Sequence, residues 1–454
     1  MRKTSGSTSN LSLEIPLIEE RSLDKKRIDP NPKEASVRYA ILLLVCYLKF
    51  VTYYTTESPG SIKQEVVENF KITNLEFGML FSIYNLPNIV LSLLTGIFID
   101  KVGIRKSNLI FTVLVLIGQV IYTLSCYGET NYQLALIGRF ILGASAESSS
   151  LVYIMIINHW FSQKELGFAC SVLITIAKAG VSLTNFLSPY IYYNTQSLGH
   201  SFMAGVVLAI VGVLLCYIFN IIDQKFERNA KISNNTHDLE TRETNAINDN
   251  SYQEQNEQQK SSFSLKLLSQ LSRYFWFFIL ANFISYMTLG PFQINFSQIL
   301  RVRYNFDIVE TGYILGYIAI VLTCLGPVLG IISDRIDKRM GALAFGNMIL
   351  FLVQAFFAFT PNYDQTYLII IPLALFEFEI SPPHIFGFCL GLMNSFQNMS
   401  MAIAPLLIGS ILDVNDKDLS KGYVNVSFVL GALNLASALI IGYIGLQQQK
   451  YRFN

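Results

Sequence analysis

The sequence predicts an all-α membrane protein with twelve transmembrane helices in two six-helix halves. Hydrophobic residues make up 52% of the 454 residues, and charged residues only 14%, against roughly 25% in soluble domains. Apolar runs near the ~20 residues that cross a bilayer recur along the chain. The 33 basic and 32 acidic residues leave no basic surplus for binding nucleic acid. Soluble enzymes and nucleic-acid binders are therefore excluded.

Twelve apolar runs give the predicted helices in order. In the first half they cover residues 39–57, 76–99, 107–126, 132–157, 166–189 and 201–222. In the second half they cover residues 274–298, 308–333, 340–360, 364–380, 385–412 and 423–446. Each run is long and apolar enough to be interpreted as one membrane crossing.

Polar segments set the predicted domain boundaries. A disordered tail covers 1–37, the six-helix halves cover 38–222 and 273–446, a linker covers 223–272, and a short tail covers 447–454. The linker is rich in Asn, Gln, Glu and Lys, so it buries too little apolar surface to fold and is predicted to be largely disordered. Basic residues concentrate before the first span, which predicts that both termini are cytosolic. They are Arg21, Lys25, Lys26, Arg27, Lys33 and Arg38.

A short motif, Gly-x-x-x-Asp-basic followed by further basic residues, occurs between spans two and three and again between spans eight and nine. The first copy contains Gly96, Asp100, Lys101 and Arg105, and the second contains Gly330, Asp334, Arg335 and Arg339. Both copies resemble the cytosolic-loop signature of the major facilitator superfamily, whose two halves are parallel repeats. We expect a gate in which each Gly lets helices approach and each Asp faces a positive helix N-terminus. The alternative is that the basic residues are only anchors at the headgroups.

Charged residues near the middle of spans four and five are the main candidates for a binding site. Arg139, Gly143 and Glu147 follow one another at four-residue spacing and share a helix face in span four. Lys178 lies at a matching depth in span five. Charges inside a membrane are costly, so function is the default hypothesis. An acid and a base at one depth suit a zwitterion, but they could also form a structural pair or a proton relay.

Other polar residues inside the spans leave two interpretations open. Lys49 could line the transport pathway or pair with an acid across the bundle. Glu377 and Glu379 could pair with the basic gate or couple transport to protons, and Gln397 and Asn398 could bind the substrate or a facing helix. The sequence favours pairing with the gate for the two glutamates and contact with a facing helix for Gln397 and Asn398, and it leaves the role of Lys49 open.

Several longer runs sharpen the resemblance to one branch of the superfamily, the "major facilitator superfamily domain-containing protein 1" type. The runs are residues 53–59, 84–90, 96–105, 138–148, 159–166, 382–384, 391–398 and 411–413. The resemblance implies a passive carrier that moves dipeptides out of lysosomes, with the peptide termini bound by Glu147 and Lys178. The family has Arg where this chain has Lys178, and lysine lacks the forked guanidinium that binds carboxylates in two places. We also assign Tyr53, Tyr84, Arg139 and Gln397 to the substrate site.

The partners and location follow from the same resemblance. We expect a small-molecule substrate such as a dipeptide, the lipid bilayer, and a glycosylated accessory membrane protein. The chain has no Gly-x-x-x-x-Gly-Lys-Ser/Thr motif for ATP, and no cofactor or enzymatic activity is expected. A lysosomal or other internal membrane is predicted, with the plasma membrane as the alternative. A proton-coupled symporter of organic anions or sugars is the alternative function.

Overall fold

The computed structural model describes residues 32–245, 273–334, 339–362, 367–376 and 388–452. Within these ranges the chain forms α-helices and two short 3-10 helices, joined by brief turns. The first half contains α1 (Pro32–Ser61), α2 (Lys63–Phe70), α3 (Asn74–Asn85), α4 (Asn88–Val102), α5 (Ile104–Leu124), α6 (Tyr132–Trp160), α7 (Gln163–Thr195) and α8 (Leu198–Asn245).

The second half repeats the plan of the first. It contains α9 (Arg273–Gln293), α10 (Phe296–Tyr304), α11 (Ile308–Asp334), α12 (Arg339–Phe359), α13 (Ile370–Phe376), α14 (Phe388–Val414) and α15 (Leu419–Arg452). Successive long helices run in opposite directions through the bundle. We call the end at which α1 begins the near end, and the end that carries the short helices α2 and α10 the far end.

The described residues include eleven helical spans that are long and apolar enough to cross a membrane. They correspond to eleven of the twelve predicted spans. The tenth predicted span, 364–380, contributes the shorter apolar stretch Tyr367–Phe376, and its remainder, with Glu377 and Glu379, lies outside the described residues. The second span is divided into α3 and α4 by Leu86 and Pro87, because proline lacks the amide hydrogen that a continuous helix requires. The all-α membrane fold is thereby confirmed.

The helix surfaces fit a lipid environment. Large apolar side chains are exposed on the outside of both halves, among them Leu214, Tyr217 and Leu446, each more than half exposed. A soluble protein seldom leaves so much contiguous apolar surface in water. Each half also has its own buried core, represented by Val45 and Val152 in the first half and by Leu300 and Leu430 in the second.

Helix α8 continues beyond the predicted edge of its span. The sequence predicts that the span ends at residue 222 and that a largely disordered linker follows, whereas the helix extends to Asn245. The added turns contain Glu, Lys, Gln and Arg, which all have good helix propensity. Arg105 of α5 also forms ion pairs with Asp223 and Glu227, so the first extra turns are held against the bundle.

The two halves are closed against each other at the far end. Ser297 of α10 donates a hydrogen bond of 2.6 Å to the carbonyl oxygen of Gly60. The carboxylate of Asp413, on α14, accepts hydrogen bonds from the backbone amides of Asn74 (2.8 Å) and Leu75 (3.0 Å) at the start of α3. A negative charge at this position is also favoured by the α3 dipole. Polar contacts at the far end therefore join the halves.

Candidate functional site

A layer of three charged residues crosses the first half at mid-depth. Lys49, Glu147 and Lys178 each lie within two residues of the middle of their spans in α1, α6 and α7, and all three side chains are half-buried. Charges at this depth are costly unless they face a polar cavity or bind a partner. We call these three residues the charged layer.

Lys49 reaches from α1 to α6. Its ammonium donates a hydrogen bond to the hydroxyl of Ser150 and lies 4.8 Å from the centre of the Tyr53 ring. Ser150 follows Glu147 by three residues on α6, so the two share a helix face. The structure therefore places Lys49 one helical turn from Glu147, with Tyr53 alongside.

Lys178 reaches the same depth because α7 packs closely against α1. A Cβ atom at Gly180 would lie 2.4 Å from the carbonyl oxygen of Phe50, so only glycine allows this contact. Both helices run from the near end to the far end, which brings Lys178 level with Lys49. The acid and base predicted for the site thus lie at one level on separate helices.

Arg139, predicted to bind substrate, is fully buried and engaged by protein groups. Its guanidinium donates hydrogen bonds to the carbonyl oxygens of Thr56 (3.1 Å) and Leu80 (3.2 Å). The same group lies 4.7 Å from the ring centre of Phe81 and 4.9 Å from that of Tyr84. In this conformation Arg139 joins α6 to α1 and α3, and it positions Tyr84.

The remaining predicted substrate residues have different surroundings. Tyr84 is buried, with its hydroxyl 3.0 Å from that of Thr56. Gln397 is half-buried on α14, in the second half. Its neighbour Asn398 donates to the Ser92 hydroxyl across the halves at 3.4 Å, the helix-contact role that sequence analysis left open.

The structure describes the whole first gate motif, but not all of its residues make the contacts that the sequence predicts. A Cβ atom at Gly96 would meet no described atom within 4 Å, so the expected close helix approach is absent here in this conformation. Asp100 and Lys101 are exposed at the end of α4, whereas Arg105 forms its ion pairs with α8. Gly103 separates α4 from α5 with φ 90°, a conformation that favours glycine.

The second gate motif is described only in part. Gly330 and Asp334 lie in the last turns of α11, and Arg339 begins α12. Arg335 lies outside the described residues. The backbone thus places the second motif between α11 and α12, the position that corresponds to the α4–α5 junction.

A buried lysine at the far end was not identified from the sequence. Lys63 of α2 is 1% exposed, and its ammonium donates hydrogen bonds to Asn295 (2.5 Å) and to the Tyr423 hydroxyl (3.2 Å) of the second half. Burial lowers the pKa of Lys63 to about 7, and the nearby charge of Asp413 opposes this shift. Lys63 lies outside the apolar runs, and the sequence around it is typical of a loop.

An ion pair lies beside Lys63. Arg301 of α10 pairs with Glu65 of α2, and burial raises the pKa of Glu65 while Arg301 opposes that shift. The aromatic ring of Phe77 lies 5.3 Å from the Lys63 ammonium. The acid whose charge acts on Lys63 is Asp413, and its oxygens already accept hydrogen bonds from the start of α3.

Opening of the far end is expected to depend on pH through Lys63. When the far end opens, Lys63 becomes solvated and its pKa returns toward about 10.4. The closed state binds the proton less tightly, so it gains stability as pH rises through about 7. Between pH 6 and pH 8 the ratio of open to closed molecules should fall about tenfold.

Spin labels on cysteines introduced at Glu68 and Lys417, which are exposed at the far end of the two halves, would measure this ratio. Lys63→Gln carries no titratable charge and should remove the pH dependence, and Lys63→Arg should favour the open state throughout. An unchanged pH dependence in Lys63→Gln would show that another group is responsible.

A cleft between the halves lies on the far-end side of the charged layer. It is lined from the first half by Glu57, Val181 and Asn185, and from the second by Gln293 and Leu315. Val181 lies one helical turn beyond Lys178, so the cleft and the charged layer are adjacent. Side chains of both halves thus meet in this cleft.

Comparison with known proteins agrees with this architecture. The Major Facilitator Superfamily model matches residues 45–380. The "Lysosomal dipeptide transporter MFSD1" of Danio rerio is 23% identical over 437 residues, covering 90% of this chain and 87% of that protein. The protein of the same name from Mus musculus is 26% identical over 434 residues, covering 90% and 87%.

A solved structure shares the same fold. The chain titled "Structural insights into substrate recognition in proton dependent oligopeptide transporters" aligns with a TM-score of 0.67 at 13% identity, covering 91% of this chain and all of that one. With the helical bundle, the repeated loop motif and the family match taken together, this integral membrane transporter belongs to the Major Facilitator Superfamily.

Proposed function

We propose that this transporter carries dipeptides as zwitterions, by uniport, out of a lysosome-like compartment. The observation that carries the proposal is that an acid, Glu147, and a base, Lys178, lie at one depth on separate helices. Glu147 would bind the peptide ammonium and Lys178 the peptide carboxylate. The dipeptide transporters to which the chain is similar support this choice of cargo.

Uniport of a neutral dipeptide needs no coupled ion to balance charge. A dipeptide with neutral side chains has no net charge, so the membrane potential does no work on it and its concentration gradient sets the direction of transport. Closure of the halves at the far end, around Lys63, would alternate with closure at the repeated loops of the near end. In the proposed orientation both termini are cytosolic and the far end faces the lumen.

Reconstitution with a designed peptide panel tests the proposal. The purified protein in liposomes should exchange a labelled dipeptide such as Ala-Ala for the unlabelled peptide. The N-acetylated peptide and the C-terminal amide should compete poorly, because each lacks one of the two terminal charges. Free alanine should also compete poorly, since its charges lie closer together than those of a dipeptide.

The driving force is tested in the same liposomes. A uniporter should continue to equilibrate the dipeptide when the pH gradient is removed, with only the shift expected from peptide protonation. Loss of transport without the gradient would instead support the proton-coupled alternative. Ligand-induced thermal stabilisation without any flux would indicate a sensor and would contradict the transport proposal.

A further inference from the structure

The charged layer contains one more cation than a simple dipeptide requires. If Glu147 binds the ammonium and Lys178 the carboxylate, Lys49 has no counterpart on a neutral dipeptide. Among the described residues, no carboxylate lies within the 4.0 Å of an ion pair from Lys49. Its contacts are the uncharged Ser150 hydroxyl and the Tyr53 ring.

Lys49 also shares its level with a second positive charge. The contact between Gly180 and Phe50 holds α7 beside α1, so the two lysines lie at one depth on neighbouring parallel helices. A negatively charged group of the cargo at this depth would therefore meet a lysine on each of the two helices.

The position of Lys49 suits a group beside the peptide backbone. Ser150 holds the ammonium one turn from Glu147, the residue proposed to bind the peptide N-terminus. A ligand anchored at Glu147 and Lys178 would therefore extend a side chain within reach of Lys49. The Tyr53 ring packs over the ammonium and favours the charged form by a cation–π interaction.

We propose that Lys49 binds a carboxylate on the side chain of the cargo, so that this carrier prefers dipeptides containing Asp or Glu to their neutral counterparts. This inference rests on the proposed dipeptide transport and specifies its substrate class. The charged layer then contains one site for each charge of an acidic dipeptide: one acid for the ammonium and two lysines for the two carboxylates.

The test compares two peptides that differ in charge but hardly in shape, Ala-Glu and Ala-Gln. In liposomes that contain the wild-type protein, Ala-Glu should be transported about tenfold more efficiently than Ala-Gln, which is the effect of one charge-assisted contact. Lys49→Gln should abolish this preference by bringing Ala-Glu down toward Ala-Gln. Lys49→Arg, which keeps the charge, should retain most of it.

Each outcome separates the two proposals. Equal transport of Ala-Glu and Ala-Gln by the wild type would overturn the role of Lys49 and leave dipeptide transport intact, without requiring any variant to fold. An equal loss of both peptides in Lys49→Gln would also overturn it, because Lys49 would then only join α1 to α6. If the wild type moves no dipeptide at all, the proposed function itself fails.

Discussion

Glu147→Gln is expected to lower dipeptide flux by at least about 100-fold, because removing one partner of a desolvated ion pair costs about 3–5 kcal/mol. The substitution keeps the size and shape of the side chain and removes only its charge. The peptide ammonium would then be buried without a counter-charge. Exchange of labelled dipeptide in liposomes measures the loss.

Two controls accompany this prediction. Glu147→Asp keeps the charge with a shorter reach and should lose less activity. Glu129→Gln makes the same chemical change at an exposed site in the connection between α5 and α6 and should have no effect. Both proteins should show the same thermal stability in detergent as the wild type.

The structural alternative, in which Glu147 and Lys178 only fasten α6 to α7, makes a different prediction. If pairing were their role, the double variant Glu147→Gln with Lys178→Met would recover the stability and flux lost in the single variants. If the residues bind substrate, the double variant remains inactive while stable. Recovery of transport in the double variant would contradict the substrate-binding proposal.

Gly143→Val should prevent stable folding, because α3 and α6 cross at this residue. A Cβ atom at Gly143 would lie 2.0 Å from the carbonyl oxygen of Tyr84, so the helices would have to move apart. The side-chain amide of Asn88 donates to both the Tyr84 carbonyl (3.2 Å) and the Gly143 carbonyl (3.1 Å). Separating the helices would break these bonds, and we expect at least about 3 kcal/mol of destabilisation.

Size-exclusion chromatography and thermal unfolding in detergent measure this effect. Gly143→Ala, a smaller change, should fold with a clearly lower unfolding temperature. Gly442→Ala is the matched control, because a Cβ atom there would meet no described atom within 4 Å and alanine favours a helix by up to about 1 kcal/mol. A Gly143→Ala protein as stable as the wild type would refute the close crossing.

The sequence predicted the long helices well because each is a nearly continuous apolar run. It also predicted that Glu147 and Lys178 share a level, since depth follows directly from position within a span. It did not reveal which way each side chain faces. Arg139 shares a helix face with Glu147 in projection, yet aromatic rings and carbonyl oxygens from α1 and α3 surround it.

The sequence could not reveal the contacts between the halves, because they join residues that are far apart in the chain. Lys63 and Asp413 are distant in the chain, and each looks like a surface charge near the end of an apolar run. Lys63 is buried because α2 packs against the second half, where Asn295 and Tyr423 accept its hydrogen bonds. Likewise, only the approach of α14 to α3 brings Asp413 to the free amides of Asn74 and Leu75.

The short connections at the far end affect how easily proteases can cut the protein. The described connections there are short, the longest being residues 125–131 between α5 and α6, and this connection is fastened by bonds from Asn131 to Ser125 and from Thr130 to Asn69. Proteases cut preferentially at exposed, loosely held loop tips. If the far end faces a degradative lumen, as proposed, its described connections offer such enzymes little extended backbone, and part of the resistance to digestion would come from the protein's own turns.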